Sequence, residues 1–229
     1  MDHYAGKLVV HGLRSYFQLN AAALRPIWNS DHIRDIHIEM TEKATLQNRV
    51  HYFDSAGIIR DVMVNHLQLL LNIAPPLVVG QYDEFATHYQ DEMGRSLDES
   101  GHFTPTAAMV ELRSSLQTWS NSTFRLAAAK ATEKRVLTVV ITFTQETFPA
   151  GNSAPCRLTV TIQQGHNADT RHSHRIEWSC DVSNVLSPLN LPENWEYSDT
   201  HDHRVITPTK PNLQTVKASS WDLGDELSA

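Results

Sequence analysis

The chain has 229 residues, of which 41% are hydrophobic and 20% charged, and its formal net charge is −7. This composition is typical of a soluble globular domain, and the length suffices for one sizeable hydrophobic core. The acidic total excludes a broad nucleic-acid or anionic-membrane surface, because both need a cationic face. With no basic leader and no window of ~20 apolar residues, we predict neither a signal peptide nor a membrane helix.

Two helices and a strand are predicted in the first third of the chain. Residues 5–25 predict a helix that ends before a proline, residues 32–40 alternate like a strand, and the polar residues 41–54 predict a loop. The strongest helical pattern follows Gly57 and stops at two prolines, 75 and 76. One face of this helix carries Ile59, Val62, Met63, His66, Leu70 and Ile73.

The second half of the chain predicts a sheet. The acidic residues 83–100 predict a surface loop or a peripheral helix. Residues 136–144, 156–163 and 174–181 show β-branched alternation, which predicts sequential antiparallel strands. We therefore predict an α+β fold, with helices packed on a largely antiparallel sheet. Residues 1–190 form the predicted domain, and 191–229 form an irregular tail with too few periodic apolar positions to require a fold.

Cysteine and histidine could in principle indicate a disulfide or a metal site. Only Cys156 and Cys180 occur, in two neighbouring predicted strands, so one disulfide bond and two free thiols are equally supported. The chain has 13 histidines, some in close pairs, but no set of partners at ligand spacing accompanies them. We therefore predict no metal site.

His66 lies on the apolar face of the strongest helix. It is either a core histidine satisfied by one hydrogen bond or a general base, since a neutral imidazole near pH 7 can take a proton from a hydroxyl. Asp61 lies five positions earlier, which is about 140° around an α-helix. Asp61 would then point elsewhere, and the carboxylate that orients His66 would come from another part of the chain.

The opening segment, Asp2 to Lys7, combines donors of several kinds with a glycine that permits close approach of backbone to a ligand. A lysine supplies a point charge for phosphate, while Tyr and His supply hydrogen bonds. The other interpretation is a frayed, solvated terminus. By the same reasoning, composition alone makes Lys130 and Arg135 surface cations.

Several ordered motifs resemble the glucose-6-phosphate dehydrogenase family. DHYAGK at 2–7 is similar to that family's substrate motif R-I-D-H-Y-L-G-K. HYFDSAGIIRDVMVNHLQLLL at 51–71 resembles its segment Y-F-D-x-x-G-I-I-R-D-V-M-Q-N-H-L, with Val64 in place of Gln. PIWNSDHI, VVGQY, FTPTAAM and FRLAAAK fall in the family's order. Later blocks, GQYDEFATHYQDE and VSNVLSPLNLPENW, look more like its endoplasmic member, hexose-6-phosphate dehydrogenase joined to a 6-phosphogluconolactonase.

The resemblance implies roles for particular residues. His66 matches the proton acceptor for the sugar's 1-hydroxyl, and Asp2 matches the carboxylate that pairs with it. The implied substrate-binding residues are His3, Tyr4 and Lys7 for the phosphate and sugar, Glu42 and Asp61 for sugar hydroxyls, and Lys130 and Arg135 as two further cations. Glucose 6-phosphate or a related hexose 6-phosphate is the implied partner, and a homodimer through the sheet is the implied assembly.

The implied reaction is oxidation of the sugar C1 hydroxyl to 6-phosphogluconolactone with NADP, a step of the pentose phosphate pathway. No G-x-x-G-D-L-type loop occurs, so we expect the Rossmann domain to be absent, no cofactor-binding residues here, and no activity from this fragment alone. The alternative is a non-catalytic sugar-phosphate-binding or oligomerising remnant. The resemblance implies the endoplasmic reticulum lumen, which the sequon at 121–123 suits; otherwise we expect a cytoplasmic protein.

Overall fold

A seven-stranded sheet organises the chain. The computed structural model describes residues 8–67, 76–100, 103–148, 154–164 and 175–187. These residues lie within one unit, Met1–Asp199, and a second unit, Thr200–Ala229, lies outside them. The predicted boundary near residue 190 and the predicted tail also lie outside the described residues, so both stay predictions.

The strands of the sheet run in the order β2-β3-β4-β1-β5-β6-β7. Their bounds are β1 Ile33–Thr41, β2 Pro76–Gly80, β3 Ala107–Arg113, β4 Thr123–Ala129, β5 Val136–Phe143, β6 Arg157–Gln164 and β7 Arg175–Trp178. Every neighbouring pair is antiparallel except β1 and β4, which are parallel. The earliest strand in the chain therefore lies near the middle of the sheet, between strands made much later.

The helices are α1 Leu8–Leu19, α2 Ala21–Leu24, α3 Val50–Ile58, a π-helix Ile59–Leu67, α4 Phe85–Met93 and α5 Leu97–Ser100. Short 3₁₀ turns occupy Arg25–Ile27 and Gln117–Trp119. None of the helices in the described ranges is long and apolar enough to cross a membrane. The predicted α+β fold class is confirmed.

One apolar face of the sheet forms the core together with the helices. Val110 pairs with Leu126 on adjacent strands, and both side chains are buried. Helices α3 and α4 contribute Phe53, Phe85 and Tyr89, which are fully buried in the same cluster. Each large apolar side chain buried in this way contributes about 1.5–3 kcal/mol. This core fixes where α3 and the π-helix lie against the sheet.

The predicted loop at residues 41–54 needs correction. Helix α3 begins at Val50, within the stretch predicted to be a loop, because Val50 and Phe53 are buried and anchor its first turn. Of the two alternatives predicted for residues 83–100, the helix is the one found: α4 buries Phe85 and Tyr89, four residues apart on one face. Residues 123–129 form a further strand, β4, which is not among the predicted strands. The three predicted sequential antiparallel strands correspond to β5, β6 and β7.

Candidate functional site

Strand pairing brings three of the residues that the resemblance singled out to one end of the sheet. Because β1 and β4 are parallel, they end together, with Thr41 level with Ala129. Thr41 also pairs with Val136, the first residue of β5. Glu42 follows β1, Lys130 follows β4 and Arg135 precedes β5. We call this the site end of the sheet and define it by these three residues.

Glu42 and Lys130 form an ion pair at the site end. The lysine side chain is 6% exposed and the glutamate side chain 20% exposed, so this pair is largely withdrawn from water. Their backbones are fixed as well: Glu42 N–H donates to the Ala129 carbonyl at 2.9 Å, and Lys130 N–H to the Thr106 carbonyl at 3.0 Å. A buried ammonium is costly unless it is paired. Lys130 is therefore not the surface cation that composition alone suggests.

Helix α3 and the π-helix are attached to the same end of the sheet. Ile58 N–H donates to the Pro105 carbonyl at 2.9 Å, one residue before Thr106, which in turn accepts from Lys130. Gly57 has φ +64° and ψ 167°, a conformation that essentially only glycine adopts. It breaks the helix there and lets the chain continue as the π-helix, which packs against β4.

Asp61, in the first turn of the π-helix, accepts a hydrogen bond from the Tyr52 hydroxyl at 2.9 Å. This hydrogen bond is the main reason why the pKa of Tyr52 lies above its usual value, with the negative charge of Asp61 as a second cause. About half of Tyr52 is exposed. The phenol therefore holds the Asp61 carboxylate from the solvent side.

The relation of Asp61 to His66 differs from the one expected for an α-helix. Residues 59–67 form a π-helix, whose hydrogen bonds join residues five apart. Asp61 and His66 are five apart, so their backbones lie about one turn from each other, and the 140° separation does not apply. The side chain of His66 lies outside the described residues, as do Asp2, His3, Tyr4 and Lys7. Their roles stay predictions.

Two carboxylates that the sequence analysis did not select hold α3 in place. Glu92, on α4, accepts a hydrogen bond from the backbone N–H of Val50, the first residue of α3, at 2.9 Å. It accepts another from the backbone N–H of Asn48, two residues earlier. Asp54 accepts the Thr104 hydroxyl at 2.6 Å. Tyr52 was also missed as a site residue, although it lies within the quoted motif. No local pattern could have identified Glu92, which is 42 positions from its partner.

The described residues include no group of three or more His, Cys, Asp or Glu side chains that could hold a metal ion. The residues that the resemblance singled out here are two cations, Lys130 and Arg135, and two carboxylates, Glu42 at the site end and Asp61 on the adjacent π-helix. Cations suit an anionic phosphate, and carboxylates suit hydroxyl donors. The arrangement can therefore bind a polar ligand that carries both kinds of group.

Comparison with solved structures defines the class of fold first. The chain shares its fold with a glucose-6-phosphate dehydrogenase solved in complex with its substrate glucose-6-phosphate, with a TM-score of 0.56 and 23% sequence identity. This match covers 78% of the present chain and 45% of the solved chain.

Sequence comparison then identifies the relationship. Residues 15–75 match the family model described as "Glucose-6-phosphate dehydrogenase, C-terminal domain". The glucose-6-phosphate 1-dehydrogenase of Caenorhabditis elegans is 28% identical over 203 residues, which cover 71% of this chain and 38% of the worm protein. The GDH/6PGL endoplasmic bifunctional protein of Oryctolagus cuniculus is also 28% identical, over 180 residues, 66% of this chain and 22% of the rabbit protein. The chain is similar to glucose-6-phosphate dehydrogenases in sequence and in fold, and the resemblance is confirmed.

The chain spans roughly a fifth to two fifths of the length of these curated relatives. The region matched by the family model, residues 15–75, contains one strand of the sheet, β1. Similarity over this part of the relatives does not by itself assign the activity of a complete dehydrogenase to the chain.

Proposed function

We propose that this chain is the substrate-binding and catalytic-base part of a hexose-6-phosphate dehydrogenase. In the complete enzyme it oxidises the C1 hydroxyl of glucose 6-phosphate, or of a related hexose 6-phosphate, to the 6-phosphogluconolactone. The observation that carries the proposal is the buried Glu42–Lys130 pair at the site end, beside the helix that contains Asp61 and His66. The homology to glucose-6-phosphate dehydrogenases supports the choice of ligand.

In this proposal the three residues of the site end and Asp61 each contact or attract a different part of the substrate. Lys130 and Arg135 strengthen the positive potential for the phosphate, which Lys7, Tyr4 and His3 contact. Glu42 and Asp61 accept hydrogen bonds from sugar hydroxyls. A carboxylate has two oxygens, so Glu42 can keep Lys130 on one and accept a hydroxyl on the other. Holding the sugar at several points fixes its C1 in place for reaction.

The proposed base is His66, neutral at the working pH. It removes the proton from the C1 hydroxyl, and Asp2 favours the imidazolium that results. NADP, when bound to the complete enzyme, supplies the hydride acceptor. We assign no cofactor-binding residue to this chain and expect negligible NADPH production from it alone.

Calorimetric titration of the chain with glucose 6-phosphate tests the binding part of the proposal. We expect saturable binding that His66→Asn retains and that Lys7→Ala abolishes. Arg135→Ala should weaken binding, whereas Lys134→Ala, an exposed neighbour, should leave it unchanged. Absence of binding by the unmutated chain would overturn the proposal and leave a structural remnant. NADPH production by the chain alone would contradict the expected need for further domains.

The sheet supports a homodimer as part of this proposal. The face opposite the core alternates β-branched residues at half-buried positions, among them Thr138, Val140 and its cross-strand neighbour Thr159. Such residues suit packing against a second sheet. Sedimentation velocity should show a dimer that Val140→Asp dissociates, and a monomeric unmutated chain would refute this assembly.

We also propose the lumen of the endoplasmic reticulum as the working compartment. The relatives include an endoplasmic bifunctional protein, alongside dehydrogenases without that description. The disulfide bond described below favours an oxidising compartment over the cytosol. Antibody staining of the source cells against luminal and cytosolic markers checks this assignment.

A further inference from the structure

The opposite end of the sheet carries two features that the proposed reaction does not use. At this end Asp35 of β1 is level with Thr123, where β4 begins, and with Thr142 near the end of β5. Thr142 in turn is level with Arg157, the first residue of β6. We call this the far end of the sheet. Asn121 precedes β4 here by two residues, and Cys156 directly precedes β6.

Asn121 lies in an exposed turn whose sequence, Asn-Ser-Thr, is the acceptor pattern for N-linked glycosylation. The full sequence holds one such pattern. Two hydrogen bonds donated by Ser122 hold this turn. Ser122 N–H donates to the Trp119 carbonyl at 3.1 Å, and the buried Ser122 hydroxyl donates to the Ile33 carbonyl at 2.6 Å. The fold therefore exposes Asn121 to solvent, while Ser122 and Thr123, which follow it, are buried.

Cys156 and Cys180 form a disulfide bond, with their Cα atoms 5.5 Å apart. The pairing of β6 with its neighbours fixes both cysteines: Phe143 N–H donates to the Cys156 carbonyl, and Ser179 N–H to the Arg157 carbonyl, each at 2.9 Å. Disulfide bonds form and persist in oxidising compartments and are rare in the cytosol. N-linked glycosylation belongs to the same secretory route, so two independent features agree.

We propose that Asn121 is an N-glycosylation site, modified in an oxidising secretory compartment. The donor is a lipid-linked oligosaccharide diphosphate. The bond between the sugar C1 and the diphosphate breaks, a bond forms between C1 and Asn121 Nδ2, and the amide proton passes to a base of the transferase. The lipid diphosphate is the leaving group. In the same compartment the two thiols lose two protons and two electrons to a protein disulfide oxidant.

The position of Asn121 is compatible with the proposed site. Asn121 precedes the first residue of β4 and Lys130 follows its last, so the strand separates them by about 20 Å at ~3.3 Å per residue. A glycan at the far end therefore leaves the site end open. Thr123, which supplies the hydroxyl that the acceptor pattern needs, is only 8% exposed. Transfer must precede folding of β4.

Mass spectrometry of the protein from its natural source tests the proposal. Digestion with trypsin yields residues 114–125 as one peptide, since Arg113 and Arg125 flank it. Treatment with peptide N-glycosidase in ¹⁸O-water should convert Asn121 into ¹⁸O-labelled aspartate. The non-reduced digest should contain residues 136–157 linked to 176–204. Recovery of residues 114–125 with unmodified asparagine throughout would overturn the proposal.

Three variants directed to the lumen of cultured cells show whether the acceptor sequence at residues 121–123 is recognised. Asn121→Gln and Thr123→Val should lose the glycosidase-sensitive gel shift, while Thr123→Ser should keep it, because serine retains the hydroxyl. A shift that persists in Asn121→Gln would contradict assignment to this residue. These readouts do not involve glucose 6-phosphate, so failure here is distinguishable from failure of the proposed function.

Discussion

The two ends of the sheet are stabilised by different means. At the site end, Glu42 and Lys130 are held by an ion pair largely removed from water. At the far end, the Cys156–Cys180 disulfide bond and the buried Ser122 hydroxyl secure the strands. A buried ion pair gives little net stability, because desolvation offsets its Coulomb energy, whereas a disulfide bond restricts the unfolded chain. The ion pair with the buried lysine thus lies at the site end, and the disulfide cross-link lies at the far end.

Removing one partner of the ion pair should have the largest effect. Lys130→Met leaves the Glu42 carboxylate partly buried without its cation, and we expect a loss of about 3 kcal/mol in the free energy of unfolding, the low end for a buried pair because Glu42 keeps some exposure. Urea denaturation measures this loss. Lys134→Met, on an exposed neighbour, should change stability by less than about 0.5 kcal/mol. Equal effects in the two variants would show that the pair is not energetically buried.

Breaking the disulfide bond should destabilise the far end and spare the site. The double variant Cys156→Ala and Cys180→Ala should lower the free energy of unfolding by about 2–4 kcal/mol, because the unfolded chain regains the freedom that the cross-link removes. The affinity for glucose 6-phosphate should stay the same. A parallel loss of affinity would show that the two ends are coupled.

Gly57→Ala should damage the site end through the backbone. The added Cβ meets only ordinary contacts, 3.5 Å from the Pro105 ring, so the cost comes from the positive φ of +64° and is about 1–3 kcal/mol. Displacement of the π-helix should also weaken glucose 6-phosphate binding. Gly94→Ala, at a similarly positive φ of +67° after α4, is the matched control and should lose stability without losing affinity.

Tyr52→Phe should have a small effect at the site end. The lost hydrogen bond to Asp61 lies at the surface, so we expect about 0.5 kcal/mol or less in stability. If Asp61 contacts the sugar, its orientation should change the affinity for glucose 6-phosphate by about twofold. Calorimetric titration compares the affinity of the variant for glucose 6-phosphate with that of the unmutated chain. Unchanged affinity would separate Tyr52 from ligand binding.

The smallest effect concerns alkaline pH at the far end. Burial raises the pKa of Tyr16, against the lowering effect of the hydrogen bond from Trp178. The folded state therefore keeps the phenolic proton longer than the unfolded state. The contribution of Tyr16 to the free energy of unfolding is complete below a pH of about 10. It is lost as the pH rises through the pKa of Tyr16 in the folded state. Unfolding titrations between pH 9 and 11 should show a shallower decline for Tyr16→Phe.

Local sequence patterns predicted much of the fold. Strong β-branched alternation predicted the strands that became β5 to β7, and it could do so because such strands are recognisable without their neighbours. The site was less predictable from pattern alone. Lys130 has the sequence context of a surface cation, and its burial depends on Glu42, 88 positions away. The π-helix was also not predictable, since its apolar spacing fits an α-helix. The expected angle of about 140° between Asp61 and His66 was therefore wrong as well.

The parallel pairing of β1 with β4 has a consequence for synthesis of the chain. Glu42 is made long before Lys130. Strand β1 lies between β4 and β5 in the sheet, and both of these neighbours are made later. Contacts between such distant residues form late and slowly, because a long loop must close first. A growing chain therefore holds Glu42 without its cation until the residue after β4, Lys130, has been made.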